Sequence, residues 1–313
     1  MEGSVKHIIL GAGGAIGNVL AKELLRNNES FKLVSRSGYR IEGGDAAKVD
    51  LLNFNDLSQT IDKASIVYLA TGLQYKLAVW KDQWPKIMDN SIKACEAKNA
   101  KLIFFDNVYV YGRVEGTMTE KTSINPCSKK GEIRARIAES LHTEIKKKNI
   151  DAIIARAADF YGPYTEKSSV PQILVIEKLS KGHKANWLVN ADVKHSYTFT
   201  GDCGMALYKL ATSEKAFNQV WHLPTAQPPI TGKEFIAIVA RTLGVEPRYM
   251  LLNKMMLRIA GLFDTTIAES YEMLYQSEFD YVFDSSKFEQ QFQCTPTPYE
   301  KGIEETVKFY YKK

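Results

Sequence analysis

Cysteine is scarce, with four among 313 residues. Cys95, Cys127, Cys203 and Cys294 lie far apart, at no spacing that ligates a metal, so no metal site is expected and reduced thiols in a cytoplasm fit the chain. Long apolar runs are missing as well: 102–105 and 236–240 fall far short of the ~18 residues that suggest a membrane span. The N-terminus has no signal-peptide pattern. Nor is one sign of charge in large excess. Lys plus Arg (41) against Asp plus Glu (36) leaves +5, spread along the chain apart from 146–148 and the terminal Lys312 and Lys313, which speaks against a nucleic-acid partner. Repeats and low-complexity tracts are absent. What remains, 45% hydrophobic and 25% charged residues, is an ordinary globular composition with no membrane segment and room for about two domains.

The first half alternates short β-rich runs, at 6–10, 31–34, 66–70, 101–105 and 152–155, with longer segments of helical period. Ile16, Leu20 and Leu24 repeat at four-residue spacing before an Asn27-Asn28 stop; Trp80, Trp84, Met88, Ile92 and Cys95 continue that spacing on a later helix. Ile133, Ile137, Leu141 and Ile145 form the cleanest stripe, the core-facing side of a helix. This alternation predicts an α/β fold with a parallel sheet. Past Tyr161-Gly162-Pro163 it loosens, and prolines at 224, 228, 229, 247, 296 and 298 cut the chain into shorter pieces, as expected of a smaller lobe.

After the first strand comes Gly11-Ala12-Gly13-Gly14-Ala15-Ile16-Gly17, then a helix. Glycines there permit a tight turn and close approach to a pyrophosphate, and the helix N-terminus offers N–H groups and a positive dipole end. The common dinucleotide pattern G-x-G-x-x-G fails, because Ile16 stands at its third glycine; Gly11, Gly14 and Gly17 instead satisfy G-x-x-G-x-x-G. That variant resembles the extended short-chain dehydrogenase/reductase superfamily, of the NAD-dependent epimerase/dehydratase type. Other segments agree in order. Asp50 and Leu51 after the third strand resemble the adenine-contacting segment, Ala70-Thr71-Gly72 the loop after strand four, and Val110-Tyr111-Gly112 the close of the strand-five motif. Arg156 to Pro163 looks like Arg-Pro-x-x-x-Tyr-Gly-Pro, and Asp202 like a later Asp of that fold. The resemblance implies a Rossmann-type doubly wound parallel sheet. It assigns 1–163 and 186–226 to a dinucleotide-binding domain, and 164–185 and 227–313 to a smaller, discontinuous C-terminal substrate lobe.

NAD-preferring members carry an acidic residue at the end of strand two, where this chain has Val34-Ser35-Arg36-Ser37. Arg36 suits a 2′-phosphate, with Ser35 or Ser37 as donor, so NADP(H) is expected over NAD(H). The family's catalytic set is missing. Aligning 126–131 with Pro-x-x-x-Tyr-Gly puts Lys130 at the acid/base Tyr and Arg134 at the Lys four residues on, while Asn107 stands at the Ser or Thr. Tyr109, on the loop that borders the substrate in the family, is a second candidate acid, although Asp106 beside it would hold its proton on. Two functions are open at this point. One is an oxidoreductase or epimerase-like enzyme acting on a small carbonyl or sugar-like substrate, with Lys130, Tyr109 or a water on Asn107 as proton source. The other is an inactive NADP(H)-binding redox sensor. The stripes of the helices after strands four and five would also suit a homodimer.

Overall fold

The computed structural model describes residues 6–311, so Lys312 and Lys313 lie outside the described residues. Seven strands make the central sheet: β1 (His7–Leu10), β2 (Phe31–Ser35), β3 (Asp45–Lys48), β4 (Ile66–Leu69), β5 (Lys101–Asp106), β6 (Ala152–Arg156) and β7 (Gln219–His222). They lie in the order β7-β6-β5-β4-β1-β2-β3, and β1 to β6 pair in parallel throughout. The chain builds outward from β1 through β3, then returns to β1's other side with β4. That is the doubly wound sheet expected, with β1 at the reversal.

Five helices belong with the strands: α1 (Ala15–Arg26), α2 (Phe54–Thr60), α3 (Leu77–Lys98), α4 (Lys129–Lys146) and α5 (Thr200–Ala211). Strand side chains alternate between the two faces of the sheet. Ile8, Leu10, Leu69, Leu102 and Phe104 form one core with Trp84, Met88 and Ile92 of α3 and Ile133, Ile137 and Leu141 of α4. A sheet covered on both faces accounts for strands with no polar alternation. α1 stops where the asparagines predicted, with Asn27 as its C-cap and Asn28 in the left-handed region at φ 55°.

The α3 and α4 stripes offered for a homodimer pack on the sheet. What those helices turn outward is charged, with ion pairs Lys86–Asp82, Lys93–Asp89 and Arg136–Glu132. The chain divides into two compact units. One compact unit comprises the chain through Tyr109 with 130–156 and 203–221; the other, of nearly equal length, comprises 110–129, 157–202 and 222–313. Parallel pairs that no local pattern announces hold the second unit together: Thr117–Met118 with Val282–Phe283, Asp159–Tyr161 with Tyr197–Phe199, and Ala185–Leu188 with Tyr249–Leu252. Asp202 serves there as an anchor, its carboxylate accepting the N–H (2.8 Å) and the hydroxyl (2.7 Å) of Thr297.

One buried group gives the sheet a pH dependence. His7 is fully buried at the start of β1, with Nδ1 2.9 Å from the Tyr68 hydroxyl and Nε2 3.6 Å from Glu29. Burial pushes its pKa down from 6.5 to about 4, against the pull of Glu29. The unfolded chain therefore binds a proton below pH ~6.5 that the native state refuses until pH ~4, and stability falls as pH drops through that window. The loss expected is about 2–3 kcal/mol at the acid end. Urea unfolding at pH 7 and pH 4.5 checks this, and a His7→Phe chain that loses as much stability as the wild type would refute it.

Candidate active site

The chain leaves β1 at Gly11, whose φ of +105° is a conformation side-chain-bearing residues rarely adopt. A Cβ there would lie 2.5 Å from Cα of Thr71, backbone against backbone. Gly14 caps α1 in extended conformation with no side-chain acceptor, and the first helical bond runs from Asn18 N–H to the Gly14 carbonyl at 3.0 Å. The amides of Ala15, Ile16 and Gly17 precede that bond, so the helix itself gives them no acceptor. Gly17 sits so close beneath the turn that a Cβ would come within 2.9 Å of the Gly11 carbonyl oxygen. The Tyr39 ring lies against Gly13, and the Ala70 N–H donates to the Leu10 carbonyl (2.9 Å), which places Thr71 and Gly72 alongside the loop.

At the end of β2, Ser35 Oγ accepts the Tyr39 N–H at 2.9 Å and lies 3.4 Å from Ser37 Oγ. Arg36 is exposed, and among the described residues no ion pair engages it. Lys48 of β3 pairs in register with Ser35, adding a second cation at this end of the sheet. Asp50 follows, exposed, with one carboxylate oxygen accepting the Leu52 N–H at 3.1 Å. Leu51 is buried, and its carbonyl accepts the Asn90 amide at 2.9 Å.

The end of β5 carries a buried charge cluster. Asp106, 1% exposed, accepts from Arg134 Nε (2.8 Å) and Nη2 (2.5 Å) on one oxygen and from Arg156 Nε (3.1 Å) on the other. The Arg134 guanidinium also lies over the rings of Trp84 (4.4 Å) and Phe104 (4.7 Å). One turn earlier on α4, Lys130 is fully buried with Nζ 4.7 Å from the centre of the Tyr75 ring. Trp80 presents an edge to Tyr75 at 5.5 Å and stacks on Tyr109 at 6.3 Å. Asn107 Oδ1 accepts the Tyr109 N–H at 3.1 Å, fixing the turn after β5.

The family model described as the NAD dependent epimerase/dehydratase family matches residues 7–222. The chain belongs to that family. Among solved structures it is similar to the UDP-glucose 4-epimerase of Thermus thermophilus in complex with NAD, with a TM-score of 0.80 and 15% identity over 97% of this chain and 98% of that one. It is similar also to the dTDP-glucose 4,6-dehydratase of Bacillus anthracis in complex with NAD, with a TM-score of 0.78 and 16% identity over 98% and 97% of the chains. The UDP-glucuronic acid 4-epimerase of Bacillus cereus in complex with NAD gives a TM-score of 0.76 and 18% identity over 97% and 98%. At such identities the likeness establishes the fold. A search of curated protein sequences finds no match to this chain.

Within this family fold, Lys130 and Arg134 share a buried face of α4, and Tyr109 and Asn107 follow β5. Asp106, beside Tyr109 in the sequence, has both its oxygens engaged by the two guanidinium groups. Three features escape a reading of sequence alone. Lys48 lies on a strand, Asp45-Ala46-Ala47-Lys48, with no β-branched residue to mark it. Tyr75 sits in a loop, and the packing of α4 brings the Lys130 ammonium to its ring. Arg156 meets Asp106 across neighbouring strands, in a parallel register that lies beyond local pattern.

Proposed function

We propose that this family member is an NAD(P)-dependent oxidoreductase or epimerase-like enzyme acting on a small carbonyl or sugar-like substrate. The observation that carries the reading is the glycine loop, where a turn closed to any Cβ at Gly11 opens directly onto the unsatisfied amides of α1. That cradle fits a pyrophosphate. Gly11, Gly13, Gly14, Ala15, Ile16 and Gly17 would hold it, with Asp50 and Leu51 towards the adenine and Ala70, Thr71 and Gly72 along the other side. A bound nicotinamide supplies or accepts hydride, and the protein adds orientation and a proton. Lys130, Tyr109 and a water on Asn107 stand as proton sources at the end of β5, with Arg134 beside them.

NADP(H) is the proposed form. Ser35, Arg36 and Ser37 bring no carboxylate to repel a 2′-phosphate, and Arg36 and Lys48 supply positive charge. Calorimetric titration with NADPH, NADP, NADH and NAD tests this. The phosphorylated pair should bind at least ~10-fold tighter, a difference of about 1.4 kcal/mol, and Arg36→Leu should remove most of that preference. Absence of binding by all four nucleotides would end the proposal.

A further inference from the structure

The family's chemistry uses a phenol and a cation side by side, and α4 provides no tyrosine at the expected position. A phenol and a cation do meet, but from different elements. Lys130 Nζ lies over the ring of Tyr75, 4.7 Å from its centre. Tyr75 is half-buried, in the loop that begins with Ala70 and Thr71 against Gly11, so the pair stands on the side of the sheet where the glycine loop lies. The edge of Trp80 at 5.5 Å holds the ring in place. Arg134, which occupies the family's lysine position, is otherwise engaged: one edge of its guanidinium is on Asp106 and its side chain is 4% exposed.

We propose that Tyr75 and Lys130 together replace the missing Tyr-x-x-x-Lys pair, Tyr75 as the catalytic proton donor and acceptor and Lys130 as the cation that supports its charge. The inference rests on the reading of this site as a dinucleotide-dependent one. A bound reduced nicotinamide would supply the hydride for reduction, losing its C–H bond and becoming oxidised. Tyr75 would break its O–H bond to give the proton to the carbonyl oxygen as the C=O π bond is lost and one C–H and one O–H bond form, and its phenolate would regain a proton from solvent. An ammonium over the ring face is attracted to a phenol and more strongly to a phenolate. α4 contributes Lys130 to this ring, exposed Lys76 follows Tyr75 in the chain, and α3 contributes Trp80, which carries no charge and stacks on Tyr109.

Spectrophotometric titration of tyrosine ionisation in the full-length protein decides the matter without substrate or cofactor. The wild type should show one phenol ionising about one pH unit or more below 10, absent in Tyr75→Phe, shifted back up in Lys130→Met and retained in Lys130→Arg. In NADPH-dependent reduction of a carbonyl that the wild type accepts, Tyr75→Phe should lower kcat ~100-fold with NADPH affinity within about threefold. A low-titrating phenol that persists in Tyr75→Phe, no such phenol in the wild type, or undiminished turnover in Tyr75→Phe would each overturn the proposal. Failure of all nucleotides to bind would instead strike the dinucleotide reading, while the titration still reports on the pair.

Discussion

A Gly11→Val chain should lose nucleotide binding by at least ~10³-fold and melt well below the wild type. Two effects add at this position. A β-branched residue at φ +105° is forced into a region closed by its own sterics, a cost on the order of 1–3 kcal/mol. Its Cβ would also meet Thr71 Cα at 2.5 Å, Thr71 N at 2.6 Å and the Ala70 carbonyl carbon at 2.8 Å. These are backbone atoms at the end of a central strand, so no side chain can swing away, and either the β1–α1 turn or the 70–72 loop must move. Both are proposed to line the pyrophosphate site, so binding and stability fall together. Gly14→Ala provides the comparison: its Cβ would stand 3.2 Å from the Gly11 carbonyl oxygen, a contact relieved by a small shift, and a loss of about tenfold is expected. Calorimetry with NADPH and thermal melting measure both. Wild-type affinity and melting temperature in Gly11→Val would show that the turn is not shaped as described.

The β1–Gly11–α1 unit was legible in the sequence because everything that makes it is local: three consecutive apolar residues, glycines at three-residue spacing, and a helix with its stripe at four. The same holds for the stop at Asn27 and for the core stripe of α4. Those stripes lie in the core against the sheet, as their spacing predicted. Where structure depends on pairing at long range, sequence was silent. β3 has only β2 as a neighbour and is built of Asp, Ala, Ala and Lys, so nothing in its composition marks a strand, and Lys48 beside Ser35 stayed hidden with it. The same holds for strand partners such as 185–188 and 249–252, which two α-helices and several short strands separate. At the candidate catalytic positions, alignment names residues but not the state of their side chains. Arg134 was legible as a substitution; that its charge is met by Asp106 required the structure.

The largest loss of stability should follow from Asp106→Ala. Arg134 and Arg156 are each 3% exposed, and Asp106 lies between them at 1%. Removing the carboxylate leaves two guanidinium groups buried without their shared counter-ion, and breaking one buried pair typically costs about 3–5 kcal/mol. Against a total of roughly 5–15 kcal/mol for a domain, such a chain is expected to be largely unfolded at 37 °C or to melt at least ~10 °C lower. Asp106→Asn keeps an acceptor and should fall between. Arg134→Lys keeps the charge but loses the planar fork that puts Nε and Nη2 on one oxygen, so it is not a conservative change here. A double-mutant cycle isolates the ion pair from simple packing loss. If Asp106 and Arg134 compensate each other's charge, Asp106→Asn combined with Arg134→Met should be less destabilised than the sum of the singles by about 1–3 kcal/mol in urea unfolding. Additivity within about 0.5 kcal/mol would mean that Arg134 contributes chiefly through its rings of contact, Trp84 and Phe104, and that Arg156 alone balances Asp106. Coupling would instead establish Asp106 as the residue that withdraws Arg134 from the position the family gives to its lysine.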